Sequence, residues 1–195
     1  MRKILALFIL LLTFVSCSKS EFDLQKRKDD INSIITTIVE TDSIHIAKNN
    51  PGNNKIVQFL GKIKIIISSK DRIAPLNNDE IEIDRILNFK SKNFGKSDSA
   101  YLFSQNINPD SLEIDNGLKT KYNYSDISTI LKDRDNKNYY QYCEFSIPLF
   151  SKDNKTVYIE VDYHSEGYFG QGIAYVLKKE NNTWKIIDKR GTWIS

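Results

Sequence analysis

The stretch from residue 139 to residue 195 constrains the fold most. Val157, Ile159, Val161 and Tyr163 alternate with Tyr158, Glu160, Asp162 and His164. A period of two puts the first set on one face of a strand and the second set on the other. Further extended stretches surround it: Tyr139 to Phe150, Ile173 to Lys179, and Trp184 to Asp188, with Trp193-Ile194 closing the chain. Lys152-Asp153-Asn154-Lys155 and Glu180-Asn181-Asn182-Thr183 are tight-turn sequences, and Gly167, Gly170 and Gly172 mark a loop. Strands joined by short turns pair antiparallel, so the block predicts a meander. A meander with one apolar face needs a cover.

The cover expected from the sequence is a helix. Ile31, Ile34, Ile35, Ile38 and Val39 recur at i, i+3, i+4, i+7 and i+8, with Leu24 on the same stripe. This predicts an amphipathic helix over 23–43, ending before Asn49-Asn50-Pro51-Gly52. Its polar face is mixed in sign, which favours a core-facing stripe over a membrane-lying one. The expected fold class is therefore α+β: one domain over 23–195, a long N-terminal amphipathic helix packed on a curved antiparallel β-meander. Residues 55–67 read as one extended run through Ile63, Ile65 and Ile67. Between them and the meander the pattern is weaker. Asn77 to Glu80 suits the cap of a short helix through Ile86, yet Ile81-Glu82-Ile83-Asp84 alternates like a strand. Residues 99–106 suit a short helix, and 111–138 hold two or three short elements.

The N-terminus speaks to location. Arg2 and Lys3 precede an unbroken apolar run from Ile4 to Leu12, extended by Phe14 and Val15. The run is too short for a spanning helix, which takes about 20 residues, and fits a secretory signal. The sequence Phe14-Val15-Ser16-Cys17 resembles the processing site of bacterial lipoproteins, in which a small residue precedes the cysteine that becomes lipidated. The resemblance implies a signal peptide over 1–16, a lipidated Cys17, a tether over 17–22 and a membrane partner through that anchor. Two or three acyl chains make a stable anchor where one does not. Ser18 lacks the Asp that resembles an inner-membrane retention signal, which points to the outer membrane. Loss of Arg2 and Lys3 takes two from the 28 basic residues and leaves a net charge of +1 against 25 acidic ones. Basic and acidic residues are interspersed, so nucleic acid is not an expected partner. Cys143 then has no intrachain partner; its period-2 neighbours Phe145, Ile147 and Leu149 make it an expected core thiol.

The C-terminal block carries a second resemblance. Ser146-Ile147-Pro148-Leu149-Phe150-Ser151-Lys152-Asp153, the glycine loop, Leu177-Lys178-Lys179 and Trp184-Lys185-Ile186-Ile187 resemble a group of uncharacterised secreted or lipid-anchored proteins of Bacteroidota-type bacteria. This resemblance implies location and fold, not activity. A more distant likeness is to cystatin-like or NTF2-like architecture, which hosts enzymes, binders and inert modules alike.

No sequence motif compels a reaction. G-x-S-x-G, H-E-x-x-H, the phosphate-binding G-x-x-x-x-G-K-[ST] and C-x-x-C are all absent. Asp133, Asp135 and Glu144 have partial calcium-loop spacing, but Lys137 stands where an oxygen ligand belongs. Neither a metal nor a cofactor is expected. The strongest cluster is the polar side of the 157–164 strand: Tyr158, Glu160, Asp162 and His164. Pairing with 139–150 would bring Tyr140, Tyr142 and Glu144 onto that side. Carboxylates beside an imidazole suit acid–base chemistry, yet a one-sided sheet also requires a solvated polar face. The expected function is a lipid-anchored, non-catalytic module that binds a protein or glycan through an exposed aromatic patch at Tyr140, Tyr142 and Tyr158. The alternatives are a hydrolase-like enzyme using Glu160, Asp162 and His164, and an inhibitor acting through the loop at 165–172.

Overall fold

The computed structural model describes residues 27–42, 54–69, 75–90, 93–135, 141–165 and 169–195. Cys17, Tyr140 and the signal and tether segments lie outside them. Helix α1 covers 27–41. Then come β1 (Asn54–Val57), β2 (Phe59–Gly61), β3 (Lys64–Ile66), β4 (Glu80–Glu82), α2 (Ile83–Leu87), α3 (Ser99–Ser104), β5 (Ser111–Glu113), α4 (Asn116–Lys121), β6 (Tyr124–Ser125) and α5 (Ile127–Asp135). The chain closes with β7 (Gln141–Phe145), β8 (Leu149–Phe150), β9 (Thr156–His164), β10 (Gly170–Glu180) and β11 (Thr183–Ile194).

The main sheet has seven strands in the order β11-β10-β9-β7-β1-β6, with β8 beside β9. Strands β7, β9, β10 and β11 pair antiparallel, but β1 pairs parallel with both β7 and β6. The expected α+β fold, a long helix on an antiparallel meander of cystatin-like or NTF2-like kind, is therefore corrected: strand outweighs helix, the sheet is mixed, and the helix described is 27–41 rather than 23–43. Parallel pairing needs long crossovers, and the segments 58–123 and 126–140 supply them. The run 55–67 was one extended stretch by pattern. It is broken instead into strands of three sheets, because β2 pairs with β5 and β3 with β4.

The sheet is covered on both faces. On one face Ile31, Ile34, Ile35, Ile38 and Val39 of α1 pack against Ile56, Phe145, Val157, Ile159, Val161, Tyr175, Leu177 and Trp184. On the other, Ile63, Ile65, Ile81, Ile86, Phe89, Phe94 and Leu102 pack against Leu149, Tyr158, Ala174 and Val176. Each large side chain so buried stabilises the fold by roughly 1.5–3 kcal/mol. The expectation of a single solvated face fails because Tyr158, Ala174 and Val176 give the second face its own apolar patch. Leu149 also joins this second core, not the face of Cys143, since Pro148 separates β8 from β7 and the chain changes face there.

Both hairpin turns obey local backbone chemistry. Asn181 and Asn182 have φ of 49° and 62°, and Glu180 pairs with Thr183 across them. Two positive φ values are what the tight right-twisted hairpin requires, and Asn tolerates them. Asn154 (φ 57°) does the same at the β8–β9 turn.

Candidate functional site: the polar row of strand β9

Strand β9 directs Tyr158, Glu160, Asp162 and His164 to the second face. The first two positions lie under the Ile63–Leu102 layer, and the last two approach the open end of the sheet. Tyr158 is 0% exposed, with Phe89 edge-on at 5.7 Å. Its hydroxyl donates to Glu160 Oε1. Burial, then the Glu160 charge, holds the Tyr158 hydroxyl well above its usual pKa. Burial also raises the Glu160 carboxyl, the tyrosine hydrogen bond opposing it; the Asp162 charge raises it further, and Arg85 and Arg190 pull it down. Arg190 lies 4.5 Å over the Phe89 ring and donates from Nη2 to the Arg85 carbonyl at 2.9 Å.

Asp162 Oδ1 accepts from Trp193 Nε1 at 2.7 Å. Burial raises this carboxyl, and the indole bond and the His164 charge oppose the rise. Register places Glu144 of β7 opposite Asp162, and Tyr142 opposite His164. The His164 ring stacks on Tyr142 at 4.5 Å with 13° between planes, and Trp193 approaches it at 5.9 Å and 45°. His164 Nε2 lies 3.2 Å from Glu144 Oε1, with side chains 27% and 40% exposed. The distance is that of an ion pair, but the nitrogen has no aligned hydrogen-bond partner. The contact is therefore one of proximity, not a directed bond.

The glycines hold this end together. Gly170 and Gly172 lie within β10, opposite His164 and Asp162, and Gly172 also pairs with Trp193. A Cβ on Gly172 would stand 2.3 Å from Trp193 Nε1, and one on Gly170 would stand 2.6 Å from Trp193 Cη2. The indole therefore lies flat on a strip of bare backbone. This corrects the reading of Gly170 and Gly172 as loop residues; the connection between β9 and β10 begins at Ser165, and its residues 166–168 lie outside the described set.

The predicted residues Tyr142, Glu144, Tyr158, Glu160, Asp162 and His164 do share one side of the sheet. They do not form an exposed aromatic patch, because Tyr142 is 8% exposed and Tyr158 fully buried. Sequence reasoning missed Trp193, Gly170, Gly172 and Arg190. The usable signal was two glycines at i and i+2, a bare strip on one strand face, followed in the next strand by a tryptophan. Cys143 is buried, and burial pushes its thiol far up, away from the reactive thiolate. Among the described residues no three His, Cys, Asp or Glu groups are arranged to hold a metal ion, and no helix is long and apolar enough to cross a membrane. No family model, no curated protein and no solved structure matches the chain.

Proposed function

We propose that this chain is a lipid-anchored bacterial envelope protein, tethered through Cys17, that acts as a non-catalytic module binding a protein partner at the Phe169–Ile194 end of its sheet. One observation carries the binding reading. Phe169 and Ile194 are 55% and 77% exposed at the same end of the sheet, Ile194 opposite Gln171, two residues beyond Phe169. Both sit on braced backbone: the Ser165 amide and hydroxyl reach the Phe169 carbonyl at 3.0 and 3.2 Å, the Ser195 amide donates to the Gly170 carbonyl at 3.0 Å, and the Gly170 amide donates to Ser195 Oγ at 3.1 Å. Apolar side chains pre-set on ordered backbone lose little entropy when a partner covers them. The partly exposed Glu144 and His164 stand at the same end of the sheet, on its other face.

The test has two parts. Metabolic labelling with a palmitate analogue and membrane fractionation are expected to succeed for the native chain and fail for Cys17→Ala. A photo-crosslinker at Phe169 in intact cells is expected to give a discrete product that the same group at exposed Ser111 does not. Equal products at both positions would count against the binding end.

The hydrolase-like reading draws on two acids raised by burial beside an imidazole. It is the weaker one, because Tyr158 and Trp193 already occupy Glu160 and Asp162 as donors. It would require an activity that His164→Ala abolishes without unfolding the chain.

A further inference from the structure

We propose that the opposite end of the sheet, where the β8–β9 turn, the β10–β11 turn and the start of α1 meet, rests on an anionic lipid surface. The proposal depends on the lipid-anchor reading above and adds to it the face that meets the membrane.

Three observations converge on this end. The first is where the described chain begins. Asp30, in the first turn of α1, accepts from Lys179 Nζ at 2.6 Å and from Trp184 Nε1 at 3.2 Å. These residues flank the β10–β11 turn, so the described chain begins at this end. Ten peptide steps separate Cys17 from Arg27, a reach of at most ~35 Å. Strand β10 runs from this end to Gly170, ~33 Å away at ~3.3 Å per residue. With the anchor joined at the near end, that end can meet the lipid while Phe169 and Ile194 point away.

The second is the joining of the two turns. The Lys179 amide donates to the Lys155 carbonyl at 2.8 Å, and Lys178 pairs with Thr156 on one side and Lys185 on the other. The turns therefore form one continuous rim.

The third is charge. Lys152, Lys155, Lys178 and Lys185 belong to the turns and their flanks, with Lys179 beside them and Arg27 and Lys28 at the helix start. The acids here are Asp29, Asp30, Asp153 and Glu180, giving these residues a net charge of +3; Glu113, which feels the Lys28 charge, is balanced by its ion pair with Lys119. Asp98, whose carboxylate accepts from the Lys152 amide, is balanced by Lys96. The far end holds Glu144 and Asp162, while Glu160 lies further along β9 with Arg85 and Arg190 near it. The rim at the start of α1 is thus net positive, and a juxtamembrane cluster of this sign is attracted to anionic headgroups.

The test uses the full lipidated chain on vesicles of phosphatidylcholine alone or mixed with phosphatidylglycerol, carrying a quencher on a lipid headgroup. A fluorophore is attached through Thr183→Cys at the near end or Ile194→Cys at the far end; native Cys143 is buried and does not compete. Flotation is measured first. In phosphatidylglycerol vesicles the Thr183 reporter is expected to be quenched several-fold more than the Ile194 reporter. That preference is expected to collapse in about 1 M salt, where the screening length falls to ~3 Å, and in the Lys152→Glu/Lys155→Glu variant. Flotation with equal quenching at both sites, or quenching greater at Ile194, overturns this proposal alone. A preference indifferent to salt and to charge reversal also overturns it. Loss of flotation overturns the anchor reading and this proposal with it.

Discussion

Trp193 lies flat across the backbone of Gly170 and Gly172 and donates its indole N–H to Asp162, two strands away, at 2.7 Å. This one side chain ties β11 across β10 to β9 and gives a half-buried carboxylate its donor. In Trp193→Phe the ring still rests on the glycines, but the donor is gone. Leaving a buried polar group unpaired costs about 1–3 kcal/mol. The urea midpoint is expected to fall accordingly. Trp193→Phe combined with Asp162→Leu is expected to recover part of the loss, because the stranded carboxylate goes with it. A double mutant no more stable than Trp193→Phe would show that the indole acts by packing alone.

The bare strip under the indole makes a second prediction with its control built in. In Gly172→Ala the new methyl group meets Trp193 and Thr192 at 2.2–2.4 Å, so the indole must lift away. Overpacking of this kind costs typically ~1–3 kcal/mol. Gly191→Ala, in the strand that carries the tryptophan, meets nothing within 4 Å and is expected to be neutral within about 0.5 kcal/mol. Thermal melts of the two variants side by side decide it. The Trp193 emission maximum is expected to move in Gly172→Ala and stay in Gly191→Ala.

How far the sequence reached can be judged from these same residues. The alternation in 157–164 named the correct sides of β9, and the Asn turns at 154 and 181–182 were legible because positive φ has a chemical signature. The parallel insertion of β1 between β7 and β6 was not legible. Four residues of short strand carry no sign of which distant partner they meet, and that choice rests on crossovers of weak pattern. The second cover was hidden for a related reason. Ile63, Ile65, Ile81, Ile86 and Leu102 come from several short elements with no single stripe, so nothing local showed that they converge on Tyr158 and Val176. That cover is what turns a strand face expected to be wet into one where carboxyls are partly desolvated.

Packing of α1 against the first face is separately testable. Ile34, Ile35 and Ile38 are fully buried. Truncating a buried isoleucine to alanine costs about 2–5 kcal/mol, from lost transfer energy plus the cavity left behind. Ile35→Ala is expected to fall in that range, while Ser33→Ala, exposed on the same helix, is expected to change stability by less than about 0.5 kcal/mol. Chemical denaturation of both resolves the pair. Equal effects would mean that α1 contributes little to the cooperative unit.

The pH dependence follows from the sign of the Glu160 shift. Burial raises its folded-state pKa above the ordinary carboxylate value. A group raised on folding contributes stability that is fully present below its unfolded pKa and is lost as pH rises through its folded pKa. Glu160 therefore favours the folded chain in mild acid and weakens it toward neutrality. Asp162 is shifted the same way and adds to this slope, whereas Asp42 and Asp153 are lowered and oppose it from the acid side. In Glu160→Gln the buried charge is removed while the amide oxygen still accepts from Tyr158 Oη. The variant is expected to be more stable than the native chain at pH 7.5, and the gap is expected to close as the pH falls through the folded-state Glu160 pKa. Urea midpoints of both proteins across that range measure it. A Glu160→Gln midpoint that follows the native one in parallel at every pH would show that Glu160 carries no shift, and that its side of the sheet is wetter than its burial indicates.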